Sequence, residues 1–526
     1  MLRPVRNLVL LIRAARVMAR HDALLPLEFR QELPPAALAL LPLARLRLPW
    51  EKPRSDEGKG LAAALEILGP SYIKLGQFLA TRPDIIGSEL AHELTSLQDR
   101  LPPFPLEEAR AIVEAEFGRP VDSIYESFSA PIAAASIAQV HRARLLPGDA
   151  FPEGKEVAVK VLRPGVEARF TRDLDSFFWA AEWIERSYKP SRRLRPIEIV
   201  RTLADTVTLE MDFRLEAAAM SEMAENVAED KGFRVPQVDW EHTGKHVLTL
   251  EWIDGIAASD RAALVEAGHD MPQLGRQILQ SFLTHALRDG FFHADMHQGN
   301  LFIDSDGTLV AVDFGIMGRI GDAERRYLAD ILYGFVTRDY RRVAEVHFEA
   351  GYVPRTKNVD HFAQALRAVG EPIFRRPARD VSMGKLLAQL FEVTAQFDMA
   401  TRPELILLQK TMMVVEGVAR HFDPDHNIWE SAEPYLREWV TTRMAPETRL
   451  EEGAAYLSRA LTHLPDLINR AERTVRLLSE SVDEEGVRLH PASAHSIARS
   501  EGPWERLRKG TFWLLLGVLL ALLLFR

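Results

Sequence analysis

Two stretches of the chain place oxygen donors beside short apolar runs. One is His293-Ala294-Asp295-Met296-His297-Gln298-Gly299-Asn300, which leads into Leu301-Phe302-Ile303; the other is Leu309-Val310-Ala311-Val312, which leads into Asp313-Phe314-Gly315. In-line phosphoryl transfer needs divalent ions bridging phosphate oxygens, and Mg2+ takes oxygen ligands. Asn300 and Asp313 therefore suit a metal, and Asp295 suits the group that orients or deprotonates the attacking oxygen. A transition-metal site from His293, Asp295 and His297 is the competing reading. It is set aside because a loop running into a strand lacks the helical face on which histidines at i and i+4 converge. His293 is expected instead to hydrogen-bond and shape the loop.

The spacing of these groups has a precedent. Kinase catalytic loops read H-x-D-x-x-x-x-N with D-F-G following, and the chain matches both spacings. Upstream, Glu156-Val157-Ala158-Val159-Lys160-Val161 resembles the kinase strand V-A-I-K, whose lysine holds the α- and β-phosphates and pairs with a helical glutamate. Lys160 takes that role, and its partner is expected within Leu209–Ala217. On one helix Glu210 and Glu216 would stand about 240° apart at ~100° per residue, so two acids imply two partners. A solvated acidic face with a local Glu210–Arg214 pair is the plainer alternative.

Where kinases cover the phosphates with G-x-G-x-x-G-x-V, the frame here reads Ala133-Ala134-Ala135-Ser136-Ile137-Ala138-Gln139-Val140. Alanine restricts the positive-φ conformations that glycine allows, so the loop should be stiffer and hold phosphates differently. Ordinary protein phosphorylation is correspondingly less expected. The candidate nucleotide contacts are Ile132 through Val140, Lys160, and Glu251 with Ile253 at the end of an expected strand, Val247–Ile253.

The elements that must position these residues read as an α+β arrangement, mostly helical. Residues 1–60 are a basic amphipathic region and linker, with ten Arg/Lys against four Asp/Glu up to residue 54, although the whole chain carries −10. That front end could lie on an anionic membrane surface or pack one face on the body. Residues 61–125 form a helical extension, with helices expected from Gly69-Pro70 to near Arg82-Pro83 and over Leu106–Phe117. Residues 126–255 form a kinase-like N-lobe, in which Ala138–Leu145 and Glu156–Leu162 make a hairpin and 166–230 is helical. Residues 256–500 form a C-lobe with a helical C-terminal part. Residues 501–526 join a basic flank to the apolar run Phe512–Phe525. Those 14 residues would reach about 21 Å as a helix, short of a hydrocarbon core of ~30 Å, so the tail is expected to engage the membrane without a settled mode of anchoring. A buried C-terminal helix is the alternative. With no cysteines, disulfides, thiolate metal sites and cysteine nucleophiles are excluded.

With these motifs in place, the chain resembles the UbiB family of atypical kinase-like proteins linked to ubiquinone biosynthesis. The K-x-G-Q hallmark of that family stands in Ser71-Tyr72-Ile73-Lys74-Leu75-Gly76-Gln77-Phe78, with Lys74 and Gln77 on one helical face. The resemblance implies a two-lobed protein-kinase-like fold whose N-terminal extension lies over the cleft that would receive a protein substrate. It assigns Glu216 to Lys160, and Glu210 with Asp212 to the Lys74–Gln77 helix as regulatory groups. It further implies ATP and Mg2+ as cofactors, ATPase-type or small-molecule chemistry, and a role in ubiquinone synthesis. The expected partners are membrane lipid, prenylated quinone precursors and quinone biosynthetic enzymes. No nucleic acid is expected, a homodimer is compatible with the sequence, and the expected location is a bacterial inner membrane with the body on the cytoplasmic side. Two departures stand out: Met296 and Gln298 replace prolines of the family loop, which should leave it less rigid, and only one apolar run ends the chain where members commonly carry two. A small-molecule phosphotransferase of the aminoglycoside or choline type and a non-catalytic nucleotide- or lipid-binding scaffold are the alternatives. Neither a flavin fingerprint nor an iron or haem motif supports a ring hydroxylase.

Overall fold

The computed structural model describes residues 3–21, 60–80, 101–147, 154–187, 195–372 and 403–443, with residue 23 and scattered positions between 86 and 97, 389 and 399, and 482 and 487. Contacts divide the chain into Met1–Val440 and Thr441–Arg526. In the second unit Val482–Asp483 pairs antiparallel with Gly486–Val487. The first unit carries everything that follows.

Four helices bracket the front of the chain: α1 (Arg3–Arg20), α2 (Leu61–Leu68), α3 (Pro70–Ala80) and α4 (Leu106–Phe117). Three strands follow, β1 (Tyr125–Ala134), β2 (Ala138–Leu145) and β3 (Glu156–Leu162), then the helices α5 (Val166–Ser187), α6 (Pro196–Glu210) and α7 (Phe213–Asn226). After β4 (Phe233–Arg234) comes β5 (Val247–Glu251), which closes an antiparallel sheet in the order β1-β2-β3-β5. β3 alternates as a half-buried strand should: Val157, Val159 and Val161 are at most 1% exposed, while Lys160 points to the opposite face. The expected hairpin is found at its stated bounds. β1 was not expected, because Pro131 and register shifts between Phe128 and Ala133 break its alternation.

A second sheet runs β4-β9-β8-β6, with β6 at Ile256–Ala257, β8 at Leu301–Ile303 and β9 at Leu309–Ala311. Beside it, β7 (Phe291–His293) pairs with β10 (Met317–Arg319). Around these lie α8 (Met271–Thr284), α9 (Asp322–Thr337), α10 (Tyr340–Glu349), α11 (Val359–Gly370), α12 (Pro403–Phe422) and α13 (Ile428–Arg443). α8 packs against α12, and the core that joins them contains Phe282, Phe292, Phe314 and Phe422, none more than 1% exposed.

Of the two readings of the basic front end, α1 follows the second and packs on α5 and α2. Asn7, 1% exposed, donates to the Asp175 carboxylate at 3.0 Å, and Arg6 reaches it at 2.7 Å. Arg3 joins them and is the main reason that Asp175 is pulled down to about 2. The helical stretch expected over 166–230 is three helices, with a break at Met211-Asp212. Glu210 therefore ends α6 while Asp212 caps α7, so the angle between Glu210 and Glu216 on a single helix does not apply. Among the described residues no helix is long and apolar enough to cross a membrane. The run Phe512–Phe525 lies outside the described residues.

Candidate nucleotide site

Lys160 is the junction of the site. From β3 its Nζ donates to Glu216 Oε1 at 2.9 Å and Oε2 at 3.0 Å, and to Asp313 Oδ1 at 3.0 Å. Glu216 is presented by the first turn of α7, which Asp212 caps by accepting from the Arg214 amide. Glu216 also accepts from the Phe314 amide at 3.2 Å, so it ties α7 to the backbone that carries Asp313. Asp313 follows β9 with φ 66°, a left-handed conformation that Asp tolerates better than most residues.

Charge follows from this geometry. Burial works against the Lys160 ammonium, but Asp313 and Glu216 outweigh it and raise its pKa. Burial pushes Glu216 above the ordinary carboxylate range, with Lys160 opposing and Asp313 adding to the rise. Burial would raise Asp313 as well, yet Lys160 holds it well below the usual carboxylate range, with a further contribution from Lys74. Asp313 is thus the more readily ionised of the two acids, and its side chain is 49% exposed.

The acid loop His293–Asn300 is shaped from within. His293, fully buried, accepts from the Asp295 amide at Nδ1 (3.0 Å), the structural part expected of it. His297 Nδ1 likewise accepts from the Gly299 amide at 3.0 Å. Asn300 donates its Nδ2 to the Asp295 carbonyl at 3.1 Å, which commits the nitrogen and leaves the side-chain oxygen as its ligand atom. That oxygen and the Asp313 carboxylate are hard donors of the kind that Mg2+ takes. Where the family loop often carries two prolines, Met296 is 0% exposed in the core and Thr411 on α12 donates its hydroxyl to the Ala294 carbonyl at 3.1 Å, so apolar burial and a distant helix contact the loop here.

Lys74 on α3 pairs with Glu210 at 2.8 Å, both side chains at most 12% exposed. The two acids thus have two partners, Lys74 and Lys160, and the local Glu210–Arg214 alternative falls away. Arg214 instead binds Asp212 at 2.7 Å. Asp212 is therefore a helix cap locked by Arg214, a correction to its assignment toward Lys74 and Gln77. Gln77 lies half-buried one turn beyond Lys74. Gly76 between them is explained by packing: a Cβ there would meet Leu65 Cδ1 at 2.6 Å and would also strike Leu97.

In the alanine frame, Ile132 and Ala133 are exposed, while Ser136, Ile137, Ala138 and Gln139 are buried. Ala133 pairs with Val140 and Ala134 with Gln139, so only Ala135-Ser136-Ile137 forms the turn. The Gln139 side chain is turned away from a ligand to the backbone of Phe104. Its Oε1 accepts from the Phe104 amide at 2.9 Å and its Nε2 donates to the Phe104 carbonyl at 3.3 Å, because a buried amide has to spend its donors and acceptors nearby. The Glu251 carboxylate is taken by Arg234 at 3.2 Å and the Gln237 amide at 3.1 Å, and the Glu251 amide donates to the Gln237 carbonyl at 2.9 Å, so a ligand there would meet the Glu251 backbone carbonyl. Ile253 follows on the loop after β5.

The chain matches the profile of the ABC1 atypical kinase-like domain over residues 96–347 and that of the UbiB helical domain over 366–427. It is 38% identical over 515 residues to the probable protein kinase UbiB of Marinobacter nauticus, covering 96% of this chain and 88% of that protein. Against the probable protein kinase UbiB of Pseudomonas entomophila it is 40% identical over 468 residues, 87% of this chain and 85% of the relative. Among solved structures, the Rv3197–erythromycin complex from Mycobacterium tuberculosis aligns over 70% of this chain and 93% of its own, with 23% identity and a TM-score of 0.46.

Proposed function

Since the chain belongs to the UbiB family of ABC1 atypical kinase-like proteins, we propose that it is a membrane-associated, Mg-ATP-binding kinase or ATPase that supports ubiquinone biosynthesis. The observation that carries the nucleotide half is Lys160 held between Glu216 and Asp313, 2.9 and 3.0 Å from the two carboxylates. A kinase-like site needs this lysine oriented by a helical acid while a second acid faces the metal. Asn300 and Asp313 would hold Mg2+, which offsets phosphate charge when bound. Lys160 would orient the α- and β-phosphates, and Asp295, its side chain 30% exposed, would position the attacking group. The pathway half rests on kinship with proteins called probable protein kinase UbiB. Membrane association rests on that kinship and on the apolar run at residues 512–525.

The test joins two measurements on wild type and Asp313→Asn. Purified wild-type protein should gain thermal stability from ATP only when Mg2+ is present, and the variant should not. In a deletion strain, wild type should clear an early prenylated phenol that accumulates with the variant. Equal stabilisation of both proteins by Mg-ATP would overturn the site, and unchanged quinone intermediates in the deletion strain would overturn the pathway.

A further inference from the structure

A loop without glycine has to get its shape from somewhere else. The apex Ala135-Ser136-Ile137 is closed on itself by the Ala135 amide donating to the Ala138 carbonyl at 2.8 Å. Two of its three carbonyls go to one residue: Arg163 Nε donates to the Ala135 carbonyl at 2.8 Å, and the Arg163 amide donates to the Ile137 carbonyl at 2.8 Å. The same guanidinium turns the other way, where Nη2 donates to the Pro102 carbonyl at 3.0 Å and more distantly to that of Leu101 at 3.4 Å. It also lies 5.7 Å from the centre of the Phe104 ring, and Gln139 holds both backbone groups of Phe104. The segment Leu101–Phe104, which leads into α4 within the extension, is therefore fastened to the loop from two sides.

We propose that Arg163 is the positioning residue through which the docked Leu101–Phe104 segment sets the shape of the Ala135–Ala138 loop for nucleotide phosphates. This rests on the reading of that loop as the nucleotide loop. Phosphate oxygens need N–H groups facing them and carbonyls facing away. Arg163 fixes the Ala135 and Ile137 carbonyls, which glycine-rich loops leave free to rotate. The guanidinium suits the task because its planar fork serves several carbonyls at once, which a lysine ammonium on a flexible stem does not. The nucleotide loop thereby becomes sensitive to whatever moves the extension.

The test uses the full chain with Arg163→Ala, Arg163→Lys and Phe104→Ala. Amide hydrogen exchange is read without nucleotide at Leu101 and Phe104, the residues of the first segment that carry an amide hydrogen, and over 135–138, and binding is titrated with a fluorescent Mg-ATP analogue. Arg163→Ala should speed exchange in both segments and weaken the analogue roughly tenfold, the size of one charge-assisted hydrogen bond. Arg163→Lys should keep the fold and still lose most of that affinity, and Phe104→Ala combined with Arg163→Ala should add little further. Faster exchange in only one segment, or analogue affinity within about twofold of wild type in a folded Arg163→Lys protein, would overturn the proposal. Wild type that bound no analogue at all would instead overturn the nucleotide reading, while the exchange data would still decide whether Arg163 links the two segments.

Discussion

The Lys74–Glu210 pair is where α3 of the extension grips α6, and its cost of rupture can be worked from its surroundings. The groups meet at 2.8 Å with 12% and 7% of their side chains exposed, so removing either one strips the other of a largely buried ion-pair partner. Removing one member of such a pair costs about 3–5 kcal/mol, whereas replacing both with apolar residues of similar volume is often near neutral. Lys74→Met and Glu210→Leu should each weaken the docking of α3 by about 3 kcal/mol or more, and the double variant should recover most of it. Hydrogen exchange of the α3 amides reads this local opening directly, and 3 kcal/mol corresponds to roughly a hundredfold faster exchange. Single variants should thus exchange about a hundredfold faster than wild type, with the double variant within roughly tenfold of it. Additive effects, with the double variant worse than either single, would refute the reasoning, because they would mean that the ammonium and carboxylate do not depend on each other.

Gly76→Ala should destabilise the extension despite alanine's better helix propensity: the gain of about 1 kcal/mol is smaller than the ~1–3 kcal/mol cost of overpacking against Leu65 and Leu97, and a lowered melting temperature checks it. Thr411→Val, on α12, should lower turnover more than nucleotide affinity, because it releases the Ala294 carbonyl beneath Asp295 while leaving Lys160 and Asp313 in place; single-turnover assays separate the two. Acid should destabilise the fold. His285 is lowered to about 3 by burial, with Asp230 opposing and Arg288 and His293 adding to the fall, and burial lowers His141, His293, His347 and His426 too. Their unfolded forms take up protons first, so their stabilisation is whole above about pH 6.5 and falls below it by up to ~1.4 kcal/mol per pH unit for each histidine. Glu216, raised in the fold, runs the other way, and melting curves between pH 7.5 and pH 5, about one unit apart, give the balance.

What the sequence made legible was whatever depends on order and period. Lys160 stands within β3, and Asn300 and Asp313 flank β8 and β9, strands that alternation or apolar runs could mark, and their chemistry follows from residue type and spacing. The Lys160–Glu216 and Lys74–Glu210 pairs came from resemblance, since helical geometry alone said only that the two acids differ. It even placed them on one helix, because a break at Met211-Asp212 leaves little mark in a pattern that is helical on both sides. The targets of long polar side chains were not legible. Gln139 sits within a motif frame and serves Phe104, Asp212 sits within another and serves its own helix, and Arg163 follows a strand with no local sign of the carbonyls it serves. Such contacts are fixed by chain crossings tens of residues away, which periodicity does not encode.

The hold of α12 on the acid loop bears on how this molecule can be divided. The ABC1-like match ends at residue 347, and Thr411 lies well beyond it, yet Thr411 and the apolar face of Val415, Ala419 and Phe422 form part of the floor under residues 271–296. A fragment excised at the conventional boundary would carry every acid of the site and lack the wall they rest on. A fragment that keeps the packing beneath the acid loop therefore runs at least through residue 422, and changes there should register in the loop although they lie outside the ABC1-like match.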